Sequence, residues 1–254
     1  MGCRWAGGRI TEAAEFVMTA LERAKAGTEM LAILPDVLRS GSFSANWRNR
    51  VSELAEVLLV EPHGIFDDSA DVDVFLLRLV RRQAGMASGT HHWTTLLRAK
   101  TKTIGDYFNV HVGPVVPHRD KEAGSDYPYI HARCVPKWTV MEAFTETRRY
   151  EGLVFDPPFV VIRRTSRPED PYRATATIIS GTEPIAVENH LLVCEPKNRT
   201  LKSCQELMKQ LKTETVNKFL NFRIRCRHLT VGAVEAIPFS QYERTISSQE
   251  IGRC

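Results

Sequence analysis

Three guanidinium groups and two hydroxyls stand together in Arg163-Arg164-Thr165-Ser166-Arg167. Guanidinium forks donate to phosphate oxygens and base edges, and Ser and Thr hydroxyls donate over a shorter reach. A second set, Arg223, Arg225 and Arg227 followed by His228, alternates along the chain, so a strand would turn all three arginines to one face. Both sets equally suit a solvated edge or ion pairs with Asp and Glu. His118, Arg119 and Lys121 make a short polar cluster, and Asn189-His190 lies within the apolar run Val187–Val193, which is expected to form a strand. An asparagine amide has the donor and acceptor that read an adenine edge, although Asn is also common at strand ends. These residues are the candidate nucleic-acid contacts.

Other chemistries find less support. The histidines form no metal-ligand spacing: His91-His92 is an adjacent pair in a polar stretch, and His190 sits in an apolar one. Six cysteines (3, 134, 194, 204, 226 and 254) contain no CxxC pair, which predicts free thiols rather than a zinc site or a disulfide frame. No Ser-His-Asp, Cys-His or paired-carboxylate arrangement, and no nuclease-like set of acids with a lysine, follows from the spacing.

The first arginine set is positioned by what precedes it, Asp156-Pro157-Pro158-Phe159-Val160-Val161-Ile162. Two prolines hold the backbone extended and stop a helix. The β-branched and aromatic run after them predicts a buried strand that delivers the arginines at its end.

The chain begins with an amphipathic helix predicted over Thr11–Ala26, with Thr11 as N-cap, Gly27 as the stop, and Ala13, Phe16, Val17, Ala20, Leu21 and Ala24 as its apolar face. Met30–Leu34 is a continuous apolar run that fits a buried parallel strand. A helix over Ala45–Leu54 and strands at Val57–Val60 and Val72–Val80 follow, the ending of an open α/β sheet. The glycine-rich turn that opens such a sheet and cradles a nucleotide is not in the sequence; Gly7-Gly8 does not supply it. Residues 83–104 suggest a linker and a short helix near Trp93–Lys100. From 105 to 254 short β-rich runs alternate with Gly and Pro, with helices at Leu201–Leu211 and Val216–Phe222 and a polar tail from Arg244.

Composition bounds the rest. With 254 residues, 25% charged and 43% hydrophobic, the chain has the makings of a packed core. No apolar run is long enough for a membrane span and nothing resembles a signal peptide, so a cytoplasmic protein without a membrane partner is expected. The net charge of +4 is uneven: residues 1–82 hold 10 Lys and Arg against 12 Asp and Glu, the remainder 24 against 18. A basic second part points weakly to a polyanionic partner.

Asp156-Pro157-Pro158-Phe159 resembles the catalytic tetrapeptide of amino-group DNA methyltransferases, which would make Asp156, Pro157, Pro158 and Phe159 a catalytic loop with the aromatic stacked on a flipped base. With no cofactor motif upstream of it, and with its place in the second part of the chain, a strand entry is favoured instead. Residues 3–82, through Ile33-Leu34-Pro35-Asp36, Ser40-Gly41 and Val72–Leu77, resemble the C-terminal half of the catalytic domain of adenine-N6 DNA methyltransferases. Ile104-Gly105-Asp106, Gly113-Pro114 and Tyr127-Pro128-Tyr129-Ile130 resemble the target-recognition domains of type I restriction-modification specificity subunits, as does the closing His228–Phe239 stretch, expected as a strand. The fold so implied is an α/β remnant of a Rossmann-like methyltransferase sheet over 1–82, followed after the linker by an α+β target-recognition domain over 105–254. The implied function is sequence-specific recognition of double-stranded DNA for adenine-N6 methylation in a restriction-modification setting. S-adenosylmethionine is then expected only with a missing half, carried by another polypeptide or lost by truncation. The rival is a stand-alone DNA-binding specificity subunit or regulator without methyltransferase activity.

Overall fold

The structure, a computed structural model, describes residues 11–67, 69–86, 91, 93–94 and 101–239. The fold is mixed α/β with several sheets. The chain divides into two compact units: residues 1–96 with 221–226, and 97–220 with 227–254. The short segment 221–226 thus clusters with the first unit, which a contiguous division at 82 and 104 did not include. The helix expected near Trp93–Lys100 and the tail from Arg244 lie outside the described residues.

The first unit opens with α1 (Glu12–Arg23), capped by the Thr11 side chain, which accepts from the Ala14 amide. Ala14, Val17, Met18 and Leu21 are buried, but Phe16 is 75% exposed. At about 100° per residue Phe16 lies across the helix from Met18, so Phe16 leaves the inner stripe to its smaller neighbours.

Three strands, β1 (Glu29–Pro35), β2 (Ala55–Asp67) and β3 (Ala70–Arg81), form a sheet in the order β1-β3-β2. Every pairing is antiparallel, with Ile33 opposite Leu76. The expectation of a buried parallel strand at Met30–Leu34 is therefore corrected. Side chains of a strand alternate between faces, and Leu34 is buried while Leu31 and Ile33 stand 65% and 56% exposed. The covered face packs Phe75, Leu77 and Leu79 against α1 and the helix α3 (Ala45–Leu54), whose Trp47 indole donates to the Ala14 carbonyl at 3.1 Å.

Between β1 and α3 lies the short helix α2 (Asp36–Ser40), which holds a buried ion pair. Asp36 Oδ1 takes Arg39 Nε at 2.6 Å; its other oxygen takes Ser40 Oγ at 2.6 Å and the Arg225 amide at 3.1 Å. Arg39 also donates to the Phe222 carbonyl at 2.7 Å. This carboxylate and its arginine hold residues 222 and 225 by the backbone within the first unit.

The second unit has a five-stranded sheet in the order β4-β11-β8-β9-β6 and a three-stranded sheet β10-β5-β7. The strands are β4 (Phe108–Val112), β5 (Ser125–Ile130), β6 (Val140–Met141), β7 (Thr147–Tyr150), β8 (Phe159–Arg163), β9 (Ala176–Ile179), β10 (Ala186–Val187) and β11 (Leu191–Pro196). The short helix α4 (Ile104–Tyr107) precedes β4, and α5 (Leu201–Leu211) packs on β8 and β9 through a face that includes buried Leu207 and Leu211. Central β8 has Phe159–Ile162 fully buried, as the apolar run predicted, and β5 contains Tyr127–Ile130.

Three expectations change here. The strand expected through Val187–Val193 breaks at residues 188–190, where the Glu188 amide donates to Ile130 and the Asn189 amide to Val115. Gly113 lies so close to the Glu188 and Val187 carbonyls that any side chain there would clash, a close approach of the kind that selects glycine. The Arg223–Arg227 segment is no strand: Arg223 ends α6 (Glu214–Arg223), and residues 224–226 are irregular. The closing stretch forms the short helix α7 (Val231–Glu235), capped by Thr230, because the hydroxyl takes the Ala233 amide and starts a helical turn.

Candidate nucleic-acid interface

The end of β8 reaches an open cleft of about 860 Å3 in the second unit. Arg163 and Thr165 line one side, and Glu188 and His190 come from the break between β10 and β11. Tyr129, His131 and Arg133 arrive from the end of β5 and its following turn, and Glu146 from just before β7.

The first arginine set is not uniform. Arg163 Nη2 donates to the Val135 carbonyl at 2.9 Å, which holds its guanidinium along the cleft wall. Arg164 is committed to the backbone, with its guanidinium on the Asn189 and Leu229 carbonyls at 3.3 and 3.4 Å. Ser166 is buried and accepts from Arg173 Nε at 3.0 Å. Thr165 and Arg167 are exposed. Arg164 and Ser166 are therefore structural, while Arg163, Thr165 and Arg167 keep the reach that phosphate or base contacts need.

Arg227 and His228 join this surface. The Ser166 amide donates to the Arg227 carbonyl at 2.8 Å, and Thr165 pairs with His228 as an isolated bridge. Both Arg227 and His228 are exposed. Burial, with the charges of Arg164 and His190 as lesser causes, holds the His228 imidazole below its ordinary range. Their former companions part from them. Arg225 Nε meets Asp73 at 2.5 Å, and Arg223 donates to the Thr94 carbonyl and hydroxyl at 3.1 and 3.2 Å, both inside the first unit.

Asn189 cannot make the bidentate adenine contact in this arrangement, since its Oδ1 is enclosed, with no partner among the described residues. His118, Arg119 and Lys121 are exposed on a turn closed by Asp120, which takes the Val116 amide at 2.8 Å; none of the three lines the cleft. The catalytic reading of Asp156-Pro157-Pro158-Phe159 fails on Phe159, which is fully buried and packed on Phe155 instead of free to stack on a base. Asp156 is exposed and faces Arg199 at 3.7 Å.

The cleft also holds residues that the sequence did not single out. Glu188 pairs with His190 Nδ1 at 3.2 Å and takes the Ala132 amide at 3.3 Å. His131 Nε2 lies 3.0 Å from Glu146. Burial, followed by Glu188, pushes the Tyr129 hydroxyl up to about 12. The signals in the sequence were the proximity of Glu188 to Asn189-His190 and the Tyr127–Ile130 motif that contains Tyr129; His131, Arg133 and Glu146 join them only through the fold.

No family model matches the chain, and no curated protein matches it at a significant level. Among solved structures it is similar to the type IIG restriction endonuclease BpuSI, at 11% identity and a TM-score of 0.39, over 92% of this chain and 42% of that one. It is also similar to a chain from a study of the assembly and conformational transition of the type I R-M system, at 12% identity and a TM-score of 0.35, over 58% and 35%. The chain spans less than half the length of either.

Proposed function

We propose that the second unit is a DNA target-recognition module that serves adenine-N6 methylation in a restriction-modification type of system. The observation that carries this reading is the convergence of Arg163, Thr165, Arg167, Arg227 and His228 at one strand end, beside a cleft that also presents Arg133. Among the described residues no ion pair occupies the Arg133 or Arg167 side chain. Basic side chains with hydroxyls between them suit the backbone contacts that set register, and the cleft acids suit donors on base edges.

The first unit supports a partner. Leu31 and Ile33 are exposed on β1, and no strand among the described residues pairs with the second edge of β1. An unpaired edge beside exposed apolar side chains is a surface for another sheet element. The occupant proposed is a polypeptide that carries the cofactor-binding half. Asp36, the carboxylate at the carboxyl end of β1, is already taken by Arg39, Ser40 and the Arg225 amide, so it does not fit S-adenosylmethionine. The cofactor belongs with the partner.

Fluorescence anisotropy with random-sequence duplexes across a salt series tests the DNA reading. Binding whose logarithm falls linearly with the logarithm of salt is expected; binding absent even at low salt rejects it. Titration calorimetry with S-adenosylmethionine tests the division of labour, with no heat expected from the isolated chain. Selection of one sequence class by the isolated chain, with no partner recovered alongside it, would favour the stand-alone rival.

A further inference from the structure

The turn after β5 reads His131-Ala132-Arg133-Cys134, and Glu146 lies 12 residues beyond Cys134. Antiparallel pairing of β5 with β7 sets Pro128 opposite Thr147, and the Tyr129 amide donates to the Glu146 carbonyl at 2.9 Å. That register brings the Glu146 carboxylate to the His131 ring. One imidazole nitrogen, one sulfur and one carboxylate oxygen then lie within 4.8 Å of one another, with His131 Nε2 and Glu146 Oε1 3.0 Å apart.

A divalent zinc-type ion bonds nitrogen and oxygen at about 2.0–2.2 Å and thiolate at about 2.3 Å, so tetrahedral ligands lie roughly 3.3–3.8 Å from one another. Small side-chain rotations bring this set to that spacing. The surroundings suit a cation. The His131 amide donates to Cys134 Sγ at 3.2 Å, a bond that favours the thiolate. Glu188, held at the Ala132 amide in the same cleft, adds negative charge and a further oxygen. Sulfur and imidazole together select a borderline-soft ion over magnesium or calcium, which take oxygen shells.

We infer that His131, Cys134 and Glu146 form a binding site for a borderline-soft divalent cation of the zinc type, which clips the turn after β5 to β7 at the rim of the cleft. The Cys134 thiol loses its proton to solvent on binding. The His131 proton moves from Nε2 to Nδ1, so Nδ1 stops accepting from the Arg133 amide, now 3.2 Å away. Binding therefore releases one proton and tightens as pH rises. Burial, and the carboxylates of Glu146 and Glu188, raise the Cys134 thiol and oppose ionisation until the cation arrives. The inference is independent of the DNA reading.

Cobalt(II) titration of the metal-stripped full chain is the test, because thiolate ligation gives a near-ultraviolet charge-transfer band. The expected result is a one-to-one band, a dissociation constant on the order of 1 µM or tighter, and bleaching by zinc(II). Cys134→Ser abolishes the band, Glu146→Gln weakens binding at least roughly tenfold, and Cys226→Ser leaves it intact. Circular dichroism of each variant confirms its fold, and a zinc-dependent rise in the melting temperature of the unaltered chain gives a readout without mutation. No band in the unaltered chain, or a band that persists in folded Cys134→Ser, overturns the site.

Discussion

Two arginine-rich segments of similar composition meet opposite fates. Arg223 and Arg225 turn inward to Thr94 and Asp73 in the first unit, where the buried Asp36–Arg39 pair also fastens their backbone. Arg163–Arg167 follows the buried run Phe159–Ile162 in the second unit; Arg163 and Thr165 line a cleft and Arg167 is exposed. The difference lies in the acceptors. In the first unit, the Asp73 carboxylate within β3 and the Thr94 carbonyl and hydroxyl take the side chains; in the second, backbone carbonyls take Arg164 and one nitrogen of Arg163 while Arg167 is left to solvent. A guanidinium's role is set by what the fold places within about 3 Å of it, more than by its neighbours in sequence.

The sharpest way to break this contrast is Asp36→Ala. It strands Arg39, which is 0% exposed, and loss of one partner from a buried pair costs about 3–5 kcal/mol. Denaturant unfolding of the variant should show a loss in that range; under 1 kcal/mol would mean that the pair does not anchor residues 221–226. Arg225→Ala removes a charged hydrogen bond between half-buried partners, an expected cost of about 1.5–3 kcal/mol in the same assay. Its DNA salt dependence should stay unchanged, and a shallower slope would move Arg225 into the interface. Arg133→Ala with Arg167→Ala should do the reverse: little change in melting, and a salt slope shallower by about one for each phosphate left without its arginine. An unaltered slope would remove both from the DNA surface.

The smallest effect is expected from pH. The His228 imidazole is held below its ordinary value of 6.5 in the fold, so the unfolded chain binds its proton first. Stability from this group is present above pH 6.5 and is lost as pH falls through that value toward the lower folded one. His228→Gln should flatten that part of the stability profile. A phosphate beside His228 would favour the charged ring, so DNA affinity should rise as pH falls through the same range; no difference between the two proteins would take His228 out of both roles.

Local patterns were legible where one strong signal ruled. Helix α3 spans Ala45–Leu54 as expected, and Thr11 and Leu201–Leu211 behave as cap and helix, because capping and 3.6-residue periodicity are properties of a short segment. Pro157-Pro158 followed by Phe-Val-Val-Ile gave a buried strand for the same reason. The segments that misled were those with two readings. Met30–Leu34 suits either a parallel strand covered on both faces or an antiparallel one covered on one, and periodicity does not separate them.

The sequence by itself determined the helices at Ala45–Leu54 and Leu201–Leu211, the basic second part and the delivery of Arg163–Arg167 at a strand end, since each follows from side-chain type over a few residues. The tertiary structure decided which arginines stay available, that Thr165 and His228 lie side by side, and that His131, Cys134 and Glu146 share one corner. Those facts depend on strand register and on acceptors far away in the chain. Asp36 reaching the amide of Arg225, 189 residues on, is such a case: no local pattern encodes it, and the fold supplies it by closing the chain on itself.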